Sequence, residues 1–395
     1  MPVKVCLQSA STASSSNAVK NAALLPRLVA SIRSWTGGVE NEVGVFRHVG
    51  LARERECAHE CWRELRDSAI FPQVTTLPLL ARFAALARLP RVALGDFPTP
   101  VQHLDLGDEP LPGELWIKRD DLSATPLGGN KVRALEFLLG NLKPGETVLT
   151  AGGEGSTHIL TTATYVRALG GRTHAVRWEH EMNPSALEVE GRARAMLATV
   201  ATARGPLIGL LRAHASRRRN VRWIPPGGTS PLGMLGHVNA ALELAEQIAR
   251  GEMPAPARVV LPVGSGGTAA GLALGFAIAG LDTRVIGARV VPRIAGGRMR
   301  VLALANRVRR YLERLTGEQI PSVQRSRVEI LHTVYAGAYG RALPGADSAT
   351  SLLEKATGVR LDGSYSAKAF TAARALASRE KGCTLFWLTF DGRIA

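Results

Sequence analysis

From Leu77 onward, short apolar runs alternate with Ala-, Leu- and Arg-rich stretches of helical period, and glycine turns mark most of the changes. The apolar runs at 114–118, 146–150, 173–178, 221–224, 258–263, 284–291 and 384–389 predict strands. Strands separated by helices of about a dozen residues predict open parallel sheets covered on both faces, a three-layer αβα arrangement of the α/β class, with ligands at the carboxyl ends of the strands. Before Leu77 the character differs. Residues 51–67 predict a charged amphipathic helix, and residues 1–39 contain no Asp or Glu but a Ser-rich run from Ser9 to Ser16. That composition fits an unstructured extension, and it also mimics an organellar transit segment.

Length and charge narrow the classes. A chain of 395 residues exceeds what one core usually organises, so two domains are expected. No apolar run approaches the roughly 18 residues of a membrane span, so no membrane partner is expected. The net charge of +16 raises nucleic acid as a partner. Clusters such as Arg217-Arg218-Arg219 have no aromatics interleaved for stacking, and aromatics make up only 5% of the chain, so solvated arginine faces are expected and no nucleic acid. Four cysteines, three of them within the first 61 residues, build no disulfide framework, and a reducing, cytoplasmic setting follows. Cys57, His59 and Cys61 are too few ligands for zinc, so no metal is expected.

Three glycine turns carry the candidate chemistry. Gly264-Ser265-Gly266-Gly267-Thr268 follows a predicted strand and opens a small-residue helix. Such a turn presents successive N–H groups, two hydroxyls and a helix N-terminus to a phosphate; it also suits a close-packed strand-to-helix connection. Lys131 follows Gly128-Gly129-Asn130 at a predicted helix start, where its amine can be held neutral as a nucleophile for a carbonyl or can simply face solvent. An aldehyde cofactor bearing a phosphate needs both parts, an amine and an anion cradle, and pyridoxal 5'-phosphate fits that description. The third turn, Gly152-Gly153-Glu154-Gly155, leads into Ser156, Thr157 and His158. These are placed to grip a substrate carboxylate, or to cap a helix.

With those residues in place the chain resembles the D-cysteine desulfhydrase and 1-aminocyclopropane-1-carboxylate deaminase family. The resemblance runs in order through Pro98-Thr99-Pro100, Lys118-Arg119-Asp120-Asp121, Leu127 to Lys131, Gly152-Gly153 with Ser156, Pro226 to Gly233, Gly264 to Gly271 and Leu361 to Lys368, about four-fifths of the chain. It implies the two-domain fold type II architecture of the tryptophan-synthase β-subunit-like enzymes, with pyridoxal phosphate between the domains. The implied layout is a large domain from 76–133 and 241–395 around a small domain at 134–240, with 1–75 as a poorly ordered extension, in a homodimer. By the same resemblance Lys131 bonds to the cofactor aldehyde and moves substrate protons, and Gly264, Ser265, Gly266, Gly267 and Thr268 hold its phosphate. Asn130 and Thr157 lie at the cofactor, and Thr389 faces its pyridine nitrogen. Ser156 meets the substrate carboxylate and Tyr365 lies over the substrate, with His158 and Ser366 in the same pocket.

Departures from the family's pattern sharpen the expectation. Ser366 stands where the deaminase branch has a glutamate, and its hydroxyl favours the desulfhydrase side. Thr157 replaces an asparagine, Ala134 replaces a second lysine that reaches the phosphate, and Phe390-Asp391 replace a glycine pair. The implied activity is a D-cysteine desulfhydrase-like α,β-elimination on a small amino acid, giving pyruvate, ammonia and sulfide. The alternatives are 1-aminocyclopropane-1-carboxylate deamination and a pyridoxal phosphate-binding protein without catalysis.

Overall fold

The computed structural model describes residues 76–107 and 111–394. The segment 1–75, the helix expected at 51–67 and the Cys57–Cys61 cluster therefore lie outside the described residues. The described residues form ten strands: β1 Val101–His103, β2 Leu115–Arg119, β3 Thr147–Gly153, β4 Arg172–Trp178, β5 Thr199–Ala203, β6 Val221–Ile224, β7 Arg258–Val263, β8 Arg284–Arg289, β9 Val328–Leu331 and β10 Thr384–Leu388. The principal helices are α1 Asn130–Leu138, α2 Thr157–Ala168, α3 Pro184–Met196, α4 Pro206–Ala215, α5 Pro231–Ala249, α6 Gly267–Ala279, α7 Arg298–Thr316, α8 Ala346–Thr357 and α9 Ser366–Ala377.

The strands form two sheets, one ordered β1-β2-β10-β7-β8-β9 and the other β5-β4-β3-β6. This is a two-domain α/β fold, parallel throughout except at one edge. There β1 pairs antiparallel with β2, because the link at 104–114 is shorter than the crossover a parallel pair needs. All seven strands read from the apolar runs are present. The three that were not anticipated, β1, β5 and β9, are all edge strands. An edge strand is covered less, and its sequence shows it: β5 is exposed over Thr199, Val200 and Ala201.

The central strand β7 is buried at all six positions, as a strand must be when helices cover both faces. Val259, Leu261 and Val263 pack into the core formed with α5, α6 and α7, whereas Val260 faces the core formed with α8 and α9. In the smaller sheet Val148 packs on the α2 side, and Leu149 and Ala151 turn to Ala213 of α4. Among the described residues no helix is long and apolar enough to cross a membrane.

Helix α5 is the wedge that positions the site. A Cβ at Gly236 would lie 2.0 Å from the Arg133 carbonyl oxygen, so only glycine lets α5 reach the backbone of α1. On its other side, Cβ atoms at Gly271 and Gly275 of α6 would lie 2.5 Å from the Cβ atoms of His237 and Ala241. Glycines four residues apart share one helix face, and here they bring the N-termini of α1 and α6 together.

Candidate active site

Lys131 is the second residue of α1. Its helix begins at Gly129, which has φ of +100° and whose Cβ would meet the Thr389 carbonyl oxygen at 2.8 Å. Both facts require glycine. Asn130 N–H donates to that same Thr389 oxygen at 3.2 Å, and Asn130 Nδ2 donates to Thr268 Oγ1 at 2.8 Å. Lys131 is thereby fixed beside the 264–268 loop. Its amine has no hydrogen bond or ion pair among the described residues, and burial pulls it down to about 8.

The 264–268 loop closes around an open cradle. The N–H groups of Ser265 and Gly266 have no acceptor among the described residues, and those of the first turn of α6 have no intrahelical partner. The opposite wall is Gly227-Gly228-Thr229, where Thr229 Oγ1 and Ser265 Oγ hydrogen-bond at 2.6 Å. A Cβ at Gly227 would lie 2.4 Å from Ser265 Oγ, and one at Gly267 would lie 2.8 Å from Thr229 Oγ1. Free N–H donors, hydroxyls and a helix N-terminus around a space that a methyl group would fill are the donor set a phosphate monoester requires. With an amine of lowered proton affinity beside it, the arrangement fits pyridoxal phosphate: Lys131 for the aldehyde, the loop for the phosphate.

Tyr365 covers this loop, its ring 3.3 Å from where a Gly264 Cβ would stand. Its hydroxyl shares a 2.5 Å hydrogen bond with Tyr339. Burial raises both phenols, Tyr339 to about 12 and Tyr365 well above its usual value, so both are protonated at neutral pH. Asp362 fixes the turn by accepting the N–H groups of Tyr365 at 2.8 Å and Ser366 at 2.9 Å. Ser366 is fully buried at the start of α9. Thr157 and Tyr365 line one small cavity with Gly155, Asp362 and Phe390.

Ser156 occupies the N-cap position of α2, yet its side chain makes no capping bond. Its Oγ lies 3.0 Å from where a Gly152 Cβ would stand. The capping role is therefore absent, and the hydroxyl remains available at a helix N-terminus. His158 is a different matter. Thr150 Oγ1 donates to the Ile224 carbonyl, so His158 Nε2, 2.9 Å away, must be the N–H donor to Thr150, which leaves Nδ1 a buried acceptor without a partner. Burial, and then the charge of Lys131, push the ring to about 3. His158 is neutral and brings no positive charge to a substrate carboxylate. His237 of α5 is held neutral in the same way from the other side.

The Lys118-Arg119-Asp120-Asp121 motif proves to be scaffold for α1. Arg133, two residues after Lys131, donates from Nη2 to Asp120 Oδ1 and from Nη1 to Glu243 Oε2, both at 2.7 Å. Lys118 Nζ donates to Glu243 Oε1 at 2.6 Å, and Trp387 Nε1 donates to Asp120 Oδ2 at 2.8 Å. Two cations and two anions, all buried, cancel and tie α1 to β2, β10 and α5. Ala134 is packed into the core, so no lysine approaches the cradle from that turn. Asp391 accepts from Gly128 N–H at 2.8 Å and pairs with Arg393; it braces the loop before Lys131. Phe390 fills the core between α2 and α3.

Thr229, Tyr339, His180 and His237 were not picked out by residue pattern. Thr229 lies inside a Gly-Gly-Thr-Ser turn that could have marked it as a second wall. Tyr339 and His180 sit in segments with no motif, and only folding brings their rings edge to face, with centroids 4.4 Å apart.

Comparisons with known proteins identify the family. The family model described as "Pyridoxal-phosphate dependent enzyme" matches residues 92–389. The nocardicin C-9' epimerase of Nocardia uniformis subsp. tsuyamanensis is 37% identical over 327 residues, 78% of this chain and 95% of that protein. D-cysteine desulfhydrase of Salmonella choleraesuis (strain SC-B67) is 31% identical over 296 residues, 72% of this chain and 87% of that protein. A crystal structure of an ACC deaminase homologue superposes with a TM-score of 0.64 at 29% identity, covering 80% of this chain and 95% of that one. The chain belongs to the fold type II pyridoxal phosphate-dependent enzymes, in the family that includes D-cysteine desulfhydrases and ACC deaminase homologues.

Proposed function

We propose that the protein removes the α proton of a small amino acid at Lys131 and expels its β substituent, in the manner of a D-cysteine desulfhydrase. The observation that carries this reading is the half-buried, unpaired amine of Lys131, joined through Asn130 and Thr268 to a loop of free N–H donors. Pyridoxal phosphate, when bound, supplies the electron sink for the negative charge that develops at the substrate α carbon. Lys131, with a proton affinity matched to neutral pH, takes and returns the α proton. Ser156 Oγ and the N-terminus of α2 hold the substrate carboxylate. The Tyr365 and Tyr339 pair, protonated and hydrogen-bonded, delivers a proton to the departing sulfur. Thr389 would offer a neutral hydroxyl to the pyridine nitrogen, whereas Ser366 Oγ is buried away from that space, and Thr157 lines the substrate side. A homodimer, with the small domain at 134–240, completes this reading and is checked by light scattering.

A second reading is epimerisation at the same carbon, favoured by the 37% identical epimerase, whose length is 95% covered. A second proton donor besides Lys131 is what that reaction needs, and the tyrosine pair supplies one. Incubation with D-cysteine and with L- and D-amino acids lacking a leaving group, in deuterated water, separates the two. Sulfide and pyruvate from D-cysteine support elimination. Deuterium exchange with inversion and no sulfide transfers the assignment to epimerisation, and neither outcome overturns both. Replacing Lys131 by Ala abolishes turnover under either reading.

A further inference from the structure

We infer that Arg300 is a positioning residue for the cofactor phosphate and supplies positive charge beside the 264–268 loop. This rests on the reading of the 264–268 loop as the phosphate cradle. Arg300 lies in the first turn of α7, and its Nε donates to the Ser265 carbonyl oxygen at 3.2 Å. Helix α7 is held against the loop by Val301 and Leu304, whose side chains lie 3.5 and 3.3 Å from where a Gly266 Cβ would stand. In a trans peptide the C=O and the following N–H point in opposite directions. Drawing the Ser265 carbonyl outward to a guanidinium therefore aims the Gly266 N–H, which has no acceptor, into the cradle, and polarises it. Gly266 adopts φ of +88°, a conformation that commits this peptide plane.

The charge argument is independent of the orientation argument. Ala134 is buried and packed, its Cβ 3.4 Å from where a Gly228 Cβ would stand, and it faces the loop wall without a cation. Arg300 makes no ion pair among the described residues, so its charge is uncompensated beside the loop. A guanidinium bound to the loop backbone raises the potential at every N–H in it.

The test compares two ligands on wild type and two variants. Dissociation constants of pyridoxal phosphate and of pyridoxal, which lacks the phosphate, are measured by fluorescence on the apo forms of wild type and Arg300→Ala. Arg300 is exposed, so its removal strands no buried charge, and thermal unfolding of the apo-protein checks the fold. The ratio of the two constants, the discrimination in favour of phosphate, is expected to fall about tenfold in Arg300→Ala and to recover substantially in Arg300→Lys. A ratio equal to wild type, or equal weakening of both ligands, overturns the inference. Wild-type protein that binds pyridoxal as tightly as pyridoxal phosphate overturns the phosphate-cradle reading as well, so the two fail distinguishably.

Discussion

Lys131 offers the most direct physical check, because its reactivity is assigned to burial alone. With the amine drawn down to about 8, about a quarter of apo-protein molecules carry a free amine at pH 7.5, against about one in a thousand for an ordinary lysine. Competitive acetylation across pH 6 to 10, read by mass spectrometry on the Lys131 peptide with exposed Lys355 as internal reference, measures that midpoint. The sign for stability follows. The folded state resists the proton more than the unfolded chain does, so the apo-protein gains stability as pH rises from 8 toward the unfolded value of 10.5. Below 8 that gain is absent. Introducing a carboxylate beside the amine with His158→Asp, at a ring that feels the Lys131 charge, raises the midpoint by about one pH unit or more. A wild-type midpoint at 10 or above refutes the burial argument, and no change in His158→Asp refutes the placement of these two groups.

Three further outcomes are expected. Arg133→Leu leaves a buried net negative charge on Asp120 and Glu243 and costs about 3 kcal/mol or more in denaturant unfolding; adding Asp120→Asn to it recovers part of the loss. Gly227→Ala, at φ of +69° and 2.4 Å from Ser265 Oγ, weakens pyridoxal phosphate binding by about tenfold or more in a fluorescence titration. Tyr365→Phe breaks the 2.5 Å bond to Tyr339; it lowers kcat for sulfide release while deuterium exchange at the substrate α carbon continues, and equal loss of both would remove the tyrosine from the leaving-group role.

Much of the fold was legible because burial leaves a mark on composition. Interior strands such as β7, covered on both faces, read as unbroken apolar runs, and the glycine turns after them mark where helices begin. The edge strands β1 and β5 escaped for the complementary reason: with one side open, nothing forces their residues to be apolar. The local parts of the candidate site were equally legible. Lys131 after Gly-Gly-Asn and the 264–268 loop each sit in a short segment whose residue types suggest a chemistry, whereas Tyr365 is singled out by the family resemblance alone.

What the chain alone determined, then, is the set of parts, since amine, anion cradle and hydroxyls are properties of local sequence. Their states were decided only by the tertiary structure. Whether Lys131 is buried, whether His158 is neutral and tied to Thr150, and whether Ser156 caps a helix or stays free depend on neighbours far away in the chain. The Lys118–Arg133 motifs became a charge-balanced scaffold only when Glu243 of α5 arrived between them. Tyr339, His180 and Arg300 acquire meaning by proximity alone. Electrostatic and packing energies act through space at a few ångströms, and separation along the chain does not predict that distance.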